Sequence, residues 1–219
     1  MAPSPKDRDT KVSMRPRSST ILAPLIRIAA NTAHAVSQKA AGIFRGIRNA
    51  RDRQRHPERH ERVRLHLQLI GRPRRILVVC HGNMCRSPYL EAALRQRLQD
   101  IEIASAGFVG SGRPMPQQGR AVAATHGHNL SEHRSQTLDR SVLRNTDLVI
   151  VMDERQAQHL LYLFRLAPDR VIVAGDLDPL PGESRAIRDP IGQSAEVFES
   201  TFARLDRCAE SLASMLALR

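Results

Sequence analysis

No tryptophan occurs in this chain, and only two tyrosines and three cysteines are found among its 219 residues. Three thiols cannot form the disulfide framework of a small secreted domain. One C-x4-C pair with a distant Cys208 also lacks the second ligand pair of a zinc site. A reduced cytoplasm is therefore the default compartment, and neither metal nor cofactor is expected. Long apolar runs are missing too: no window reaches 18 consecutive apolar residues, which argues against a membrane span. No internal repeat is present.

Acidic residues are scarce in one region only. Between Asp9 and Asp52 there are none, and residues 1–73 carry 16 Lys/Arg against 5 Asp/Glu. Residues 74–219 carry 18 against 17, so nearly all of the net charge of +12 belongs to the first third of the chain. The expected organisation is a basic N-terminal extension, 1–73, followed by a nearly neutral globular domain, 74–219. Any acidic partner should be sought for the extension. With almost no aromatics to interleave with bases, nucleic acid is an unfavoured partner.

Within the extension, residues 1–20 are rich in Pro, Ser, Lys and Arg and read as disordered. An amphipathic helix is predicted over about 22–48. Leu22, Leu25, Ala29, Ala33, Val36, Ala40, Ile43, Phe44 and Ile47 share one face, with Arg27 and Arg45 opposite. Such a helix suits an anionic membrane surface, here through residues 20–49. Packing on its own domain or on a partner fits the same pattern, and an Arg-rich, acid-poor transit peptide fits the composition. Residues 50–64 read as a charged linker. The alternation of Val63, Leu65, Leu67 and Leu69 suggests a short edge strand.

After Gly71-Arg72-Pro73 strands and helices alternate. Strands are predicted at 75–80, 101–105, 147–152 and 170–174, and helices at 87–99, 116–127, 154–165 and 194–217. The pattern implies an α/β fold, a single three-layer domain with a central four-stranded parallel sheet. Ligands in such folds bind beyond the carboxyl ends of strands. There lies the most informative segment, Cys80-His81-Gly82-Asn83-Met84-Cys85-Arg86-Ser87-Pro88, between the apolar run Ile76-Leu77-Val78-Val79 and a helical pattern.

A loop that opens into a helix N-terminus offers unpaired N–H groups and the positive end of the helix dipole to an anion. The same field favours a thiolate, so Cys80 is the candidate nucleophile. Arg86 is the candidate fork for two phosphate oxygens, since its planar donors bind equatorial oxygens in pairs. Gly82 permits a tight turn, Asn83 can bond across the loop, and Ser87 can donate to the Cys80 sulfur and cap the next helix. His81, Gly82, Asn83, Met84, Cys85, Arg86 and Ser87 form the expected phosphate cradle, with the His81 side chain turned away from it. Singly, each residue has an ordinary structural reading; together, as C-x5-R-S-P at a strand–loop–helix junction, they point to phosphate chemistry.

Residues 79–88 resemble the V-C-x-G-N-x-C-R-S-P hallmark of the low-molecular-weight protein tyrosine phosphatases. The resemblance extends from about Arg74 to the C-terminus. Supporting segments are Ser105-Ala106-Gly107, His133-Arg134-Ser135, the run from Asp147 to Asp153, and Asp189-Pro190 followed by Phe198-Glu199. It implies a metal-free phosphatase with Cys80 as nucleophile, Arg86 as phosphate binder and Asp189 as general acid. It also implies a phosphoprotein substrate. Bacterial relatives often reverse the autophosphorylation of tyrosine kinases that control polysaccharide export. For Cys85 the resemblance implies a reversible disulfide with Cys80, and a small buried side chain is the alternative.

A carboxylic acid is needed to protonate the leaving oxygen, and the carboxylate it becomes can activate water. Asp178-Pro179 competes with Asp189-Pro190 for this role. Asp189 is preferred because Phe198-Glu199 follows at the family's approximate spacing. Two departures weaken selectivity for an aromatic ester. Ile191-Gly192 stands where the family commonly has tyrosine, and Phe108 is the only aromatic of residues 107–113. Three further readings remain open. A thioredoxin-linked arsenate reductase would need cysteines that only Cys208 could supply. A phosphoarginine phosphatase usually has Thr in place of Met84. A non-catalytic phosphate-binding protein with a basic arm is the third.

Overall fold

The computed structural model describes residues 22–217, with side chains from Lys39 onward except that of Arg45. The disordered start expected at 1–20 lies outside these residues. The chain divides into two compact units with the boundary between Gly46 and Ile47. Helix α1, Leu22–Ile70, covers the amphipathic segment predicted at 22–48 and continues well beyond it. Its stretch before Ile47 belongs to the first unit, where the described side chains of Ile43 and Phe44 are exposed.

Residues 50–64 and 63–69, expected as a linker and an edge strand, are instead helix. The alternation of Val63, Leu65, Leu67 and Leu69 satisfies two periods at once, and burial decides between them. Val63 and Leu67, one helical turn apart, are 9 % and 1 % exposed, whereas Leu65 and Leu69 are 46 % and 85 % exposed. A strand would have buried all four on one face. His56 extends the buried stripe by two turns, at the i−7 position from Val63. Pro57 lies inside the helix and has no N–H to donate, and the helix tolerates the loss.

Strand β1, Arg75–Cys80, is central to an all-parallel sheet. It pairs with β2, Glu102–Gly107, on one side and β3, Leu148–Val151, on the other; β4, Val171–Val173, lies beyond β3. The order β2-β1-β3-β4 reverses direction between β1 and β3, so the crevice at that switch point opens beside the end of β1. Along β1 the side chains alternate between two cores. Ile76, Val78 and Cys80 join α2 (Arg86–Arg97) and α6 (Ala195–Ala217), while Leu77 and Val79 face the Leu160 side of α5 (Glu154–Leu163). The predicted four-stranded fold is therefore the observed one. Helix α3 spans Gln117–Thr125, and the short α4, Arg140–Leu143, was not anticipated. Asp139 and Asp153 cap α4 and α5, accepting from N–H groups of the first turn.

Helices α2 and α6 are joined by aromatic packing and one polar cluster. Tyr89 is fully buried and stacks on Phe202 at 3.9 Å. Its hydroxyl donates to Asp206, 2.8 Å away, and His126 bridges Asp206 and Glu199 at 2.8 Å each. Burial draws the His126 imidazole pKa down, but the bonds to Asp206 and Glu199 outweigh it and the net shift is upward. A raised folded pKa stabilises the fold below the unfolded value, and this contribution disappears as pH rises through the folded pKa. His126→Asn is thus expected to cost about 1 kcal/mol near pH 6 and much less near pH 9. Urea denaturation of both proteins at the two pH values checks this, and a pH-independent gap would contradict it.

Candidate active site

Strand β1 delivers Cys80 to a five-residue loop, and α2 begins at Arg86. The Cys80 sulfur accepts hydrogen bonds from the Asn83 backbone N–H at 3.2 Å and from the Ser87 hydroxyl at 3.0 Å. Two donors aimed at one sulfur favour negative charge there. The helix start itself has no side-chain cap: Cys85 takes the N-cap position, and the Ser87 hydroxyl is turned to the sulfur and towards the Ala106 carbonyl. The expectation that Ser87 also caps α2 is corrected by that geometry.

Asn83 organises the loop. It has φ of 48°, so the left-handed residue is Asn83 and not Gly82, where the sequence had suggested the special turn. Asparagine tolerates this conformation, and its side chain supplies compensation. Its Nδ2 donates to Ser87 Oγ at 2.9 Å and to Ser105 Oγ at 2.8 Å, while Oδ1 accepts from the Gln136 N–H at 2.9 Å. His133 Nε2 meets the Asn83 carbonyl at 2.7 Å. Arg113 Nη2 donates to the Gly82 carbonyl at 3.3 Å and to that of Val109 at 2.7 Å. At Gly107 a Cβ would come within 2.6 Å of the Asn83 nitrogen, so only glycine lets the end of β2 approach the loop.

Ser105 and His133 belong to segments the family resemblance had marked, although no role followed from sequence. Gln136 and Arg113 gave no signal. They hold the loop through backbone groups, which leaves no distinctive residue pattern.

The guanidinium of Arg86 is buried. Nη1 donates to the Ile187 carbonyl at 3.2 Å, and Nη2 pairs with Asp189 Oδ2. Its Nε, also buried, has no partner among the described residues, a polar donor held ready for an acceptor. Asp189 thus shares the site with Arg86, and its side chain is 42 % exposed. Asp178 stands elsewhere. It is fully buried, taking Arg204 Nε at 3.0 Å and Arg207 Nε and Nη2 at 2.9 Å each. Burial would raise its pKa, but the Arg207 and Leu180 hydrogen bonds and both arginine charges hold it below the ordinary carboxylate range.

Burial pushes the Cys85 thiol up to about 12, with the Asp189 and Cys80 charges adding to the effect and Arg86 opposing it. All three cysteines are free thiols. Cys208 lies inside α6, donates to the Ala174 carbonyl at 3.2 Å, and is also pushed up by burial. The His81 side chain is exposed. At the mouth, Phe108 packs edge-on against His159 with centroids 5.6 Å apart, and Ile191 is exposed. No cluster of three metal-ligating side chains occurs among the described residues.

A cysteine cradled at the carboxyl end of a parallel strand, with a buried arginine beside it, defines a class of cysteine-based phosphate-binding sites. Residues 75–218 match the family described as low molecular weight phosphotyrosine protein phosphatase, and the chain belongs to that family. A probable low molecular weight protein-tyrosine-phosphatase, EpsP of Ralstonia nicotianae, is 36% identical over 133 residues, covering 60% of this chain and 88% of the relative. The tyrosine phosphatase Wzb of Escherichia coli K30, solved in complex with sulphate, superposes with a TM-score of 0.59 and 30% identity, covering 66% of this chain and 99% of that one. The YwlE arginine phosphatase of Geobacillus stearothermophilus gives a TM-score of 0.60 and 28% identity, covering 66% of this chain and 94% of its own.

Proposed function

We propose that this protein hydrolyses phosphomonoesters of phosphoproteins, phosphotyrosine first among them, through a phosphocysteine on Cys80. The observation that carries the reading is the doubly hydrogen-bonded Cys80 sulfur in a loop that ends at a buried Arg86 with a partnerless Nε. The Cys80 thiolate attacks phosphorus in line with the leaving oxygen. The S–P bond forms as the P–O bond breaks, and the Asp189 carboxylic acid gives its proton to the departing oxygen. Arg86 and the loop amides hold the equatorial oxygens, where charge accumulates. In the second step the Asp189 carboxylate takes a proton from water, the water oxygen attacks phosphorus, and the S–P bond breaks to return thiolate and orthophosphate. The position of Asp189 beside Arg86 supports this assignment, as does the burial of Asp178 between two arginines.

Hydrolysis of phosphotyrosine, phosphoserine and phosphoarginine peptides in the presence of a chelator tests the reading. Phosphotyrosine is expected to turn over fastest, without added metal. Selectivity should be modest, because Phe108 is the one aromatic of residues 107–113 and a single stacking contact is worth roughly 0.5–1.5 kcal/mol, about a two- to twelvefold preference. Preference for phosphoarginine would replace the proposed substrate, and no turnover of any would remove the enzymatic reading.

An autophosphorylated tyrosine kinase is the phosphoprotein proposed, on the family resemblance alone. Action in the cytoplasm is proposed with it, a compartment that suits three free thiols. No helix among the described residues is long and apolar enough to cross a membrane. Peripheral attachment of the first part of α1 to anionic lipid is part of the same proposal, supported by exposed Ile43 and Phe44 within an acid-free basic stretch. Full-length protein is expected to sediment with phosphatidylserine vesicles, and Ile43→Glu with Phe44→Glu to weaken this about tenfold or more. Equal sedimentation of both proteins would remove the membrane role.

A further inference from the structure

The loop that carries Asp189 is tied at Arg185, Ala186, Ile187 and Asp189. The Asp189 side chain pairs with Arg86, and the Ile187 carbonyl accepts from the same guanidinium. The Ile187 N–H donates to Met152 O at 2.8 Å, and the Ala186 carbonyl accepts from Arg204 at 3.0 Å. At its upstream end Arg185 grips Asp176 with two nitrogens, at 3.1 and 2.7 Å. Each of these partners belongs to the stretch matched by the family, residues 75–218.

Four more ties do not. Asp52 Oδ2 accepts the backbone N–H of Arg185 at 3.1 Å. Arg59 Nε donates to Asp176 Oδ1 at 2.9 Å, so a buried carboxylate is shared between Arg59 and Arg185. His60 Nδ1 meets the Asp176 carbonyl at 2.9 Å, and His56 Nε2 that of Asp178 at 2.8 Å. These four side chains recur at spacings of four, three and one along the same helix. They address the start of the loop at one backbone N–H, two carbonyls and one carboxylate oxygen, the last of which Arg185 bonds as well. Arg59 is further fixed by its own Nη2, which donates to the Asp52 carbonyl at 2.8 Å.

We propose that the second half of α1 is a positioning element for the general acid, with Asp52, His56, Arg59 and His60 setting the path of residues 176–189 and so the reach of the Asp189 carboxyl. The inference rests on the assignment of Asp189 as the acid. None of the four residues touches substrate, and their effect travels through Arg185 and Asp176 to the backbone four residues before Asp189. A proton donor displaced by a fraction of an ångström matters most when the leaving oxygen is strongly basic. It matters least when the leaving group departs unaided.

The test therefore compares two esters in the full-length protein: phenyl phosphate, with a basic leaving group, and 4-nitrophenyl phosphate, with a weakly basic one. The quantity read is the ratio of their kcat/KM values. That ratio does not depend on how much of a preparation is folded, and kcat/KM reports the step in which the proton is given. In Asp52→Ala and Arg59→Gln the ratio is expected to fall about tenfold in favour of 4-nitrophenyl phosphate, with the orthophosphate inhibition constant unchanged. Added to Asp189→Ala, the same substitutions should change the ratio no further, because no acid remains to position.

If Asp189→Ala shifts the ratio while the α1 variants lower both substrates equally, or neither, α1 only covers the core and the proposal falls. If the α1 variants still shift the ratio in the Asp189→Ala background, they act by another route and the proposal falls again. If Asp189→Ala itself leaves the ratio unchanged, the acid lies elsewhere, and the inference goes with that assignment.

Discussion

Cys80→Ser is expected to lower turnover of phenyl phosphate by at least about 10⁴-fold while orthophosphate still binds. Serine is nearly isosteric and accepts the same hydrogen bonds, from the Asn83 N–H and the Ser87 hydroxyl, so the loop keeps its shape. An alcohol, however, ionises several units above a thiol, so the same two donors leave the serine oxygen protonated. Phosphate affinity should survive because it rests on the buried Arg86, whose Nε lacks a partner, and on the amides at the start of α2. Initial rates and calorimetric titration with orthophosphate measure the two quantities separately. Activity above about one per cent of wild type would move the nucleophile to another residue.

Asp189→Asn and Asp178→Asn should fail in opposite ways. The first removes the proton donor and is expected to cost about 10²–10³ in kcat/KM for phenyl phosphate. Its fold should hold, since the side chain is 42 % exposed. The second touches no reacting group. It removes a carboxylate with no exposed surface that binds Arg204 and Arg207, and should cost about 3–5 kcal/mol of stability. What remains folded should retain its turnover of 4-nitrophenyl phosphate per molecule, since that leaving group depends least on the acid. Thermal unfolding and active-site titration of both variants distinguish these outcomes. A stable but inactive Asp178→Asn protein would transfer the acid role to Asp178 and overturn the assignment of Asp189.

These two aspartates mark where sequence reasoning reached its limit. Both stand before proline, and nothing local separates them. The difference is that α6 places Arg204 and Arg207 on Asp178, whereas β1 and α2 place Arg86 beside Asp189. The sheet was easier to foresee, because the runs 76–79 and 148–151 are apolar without alternation, as strands covered on both faces must be. The phosphate loop was legible for another reason. Its chemistry is concentrated in contiguous residues, so spacing alone carries the information. Gln136, whose own backbone N–H bonds to Asn83 Oδ1, and Arg113, which donates to the Gly82 carbonyl, were invisible because a bond made through a backbone group on either side leaves no pattern of residue types. The helix through 50–70 was misread through its charges. His56, Arg59 and His60 suggest a solvated linker until Asp176 and Asp178 are seen opposite them.

The high pKa of Cys85 bears on how the enzyme would survive peroxide. At about 12, only around one molecule in 10⁵ carries an ionised neighbour to the nucleophile at neutral pH. Oxidation of Cys80 to a sulfenic acid abolishes one of the charges that oppose that ionisation. Burial, the larger cause, is untouched. Were Cys85 to rescue the nucleophile by a sulfur–sulfur bond, the role that the family resemblance implies for it, that step would be slow at rest and would gain speed only when the loop opens to water or the medium turns alkaline.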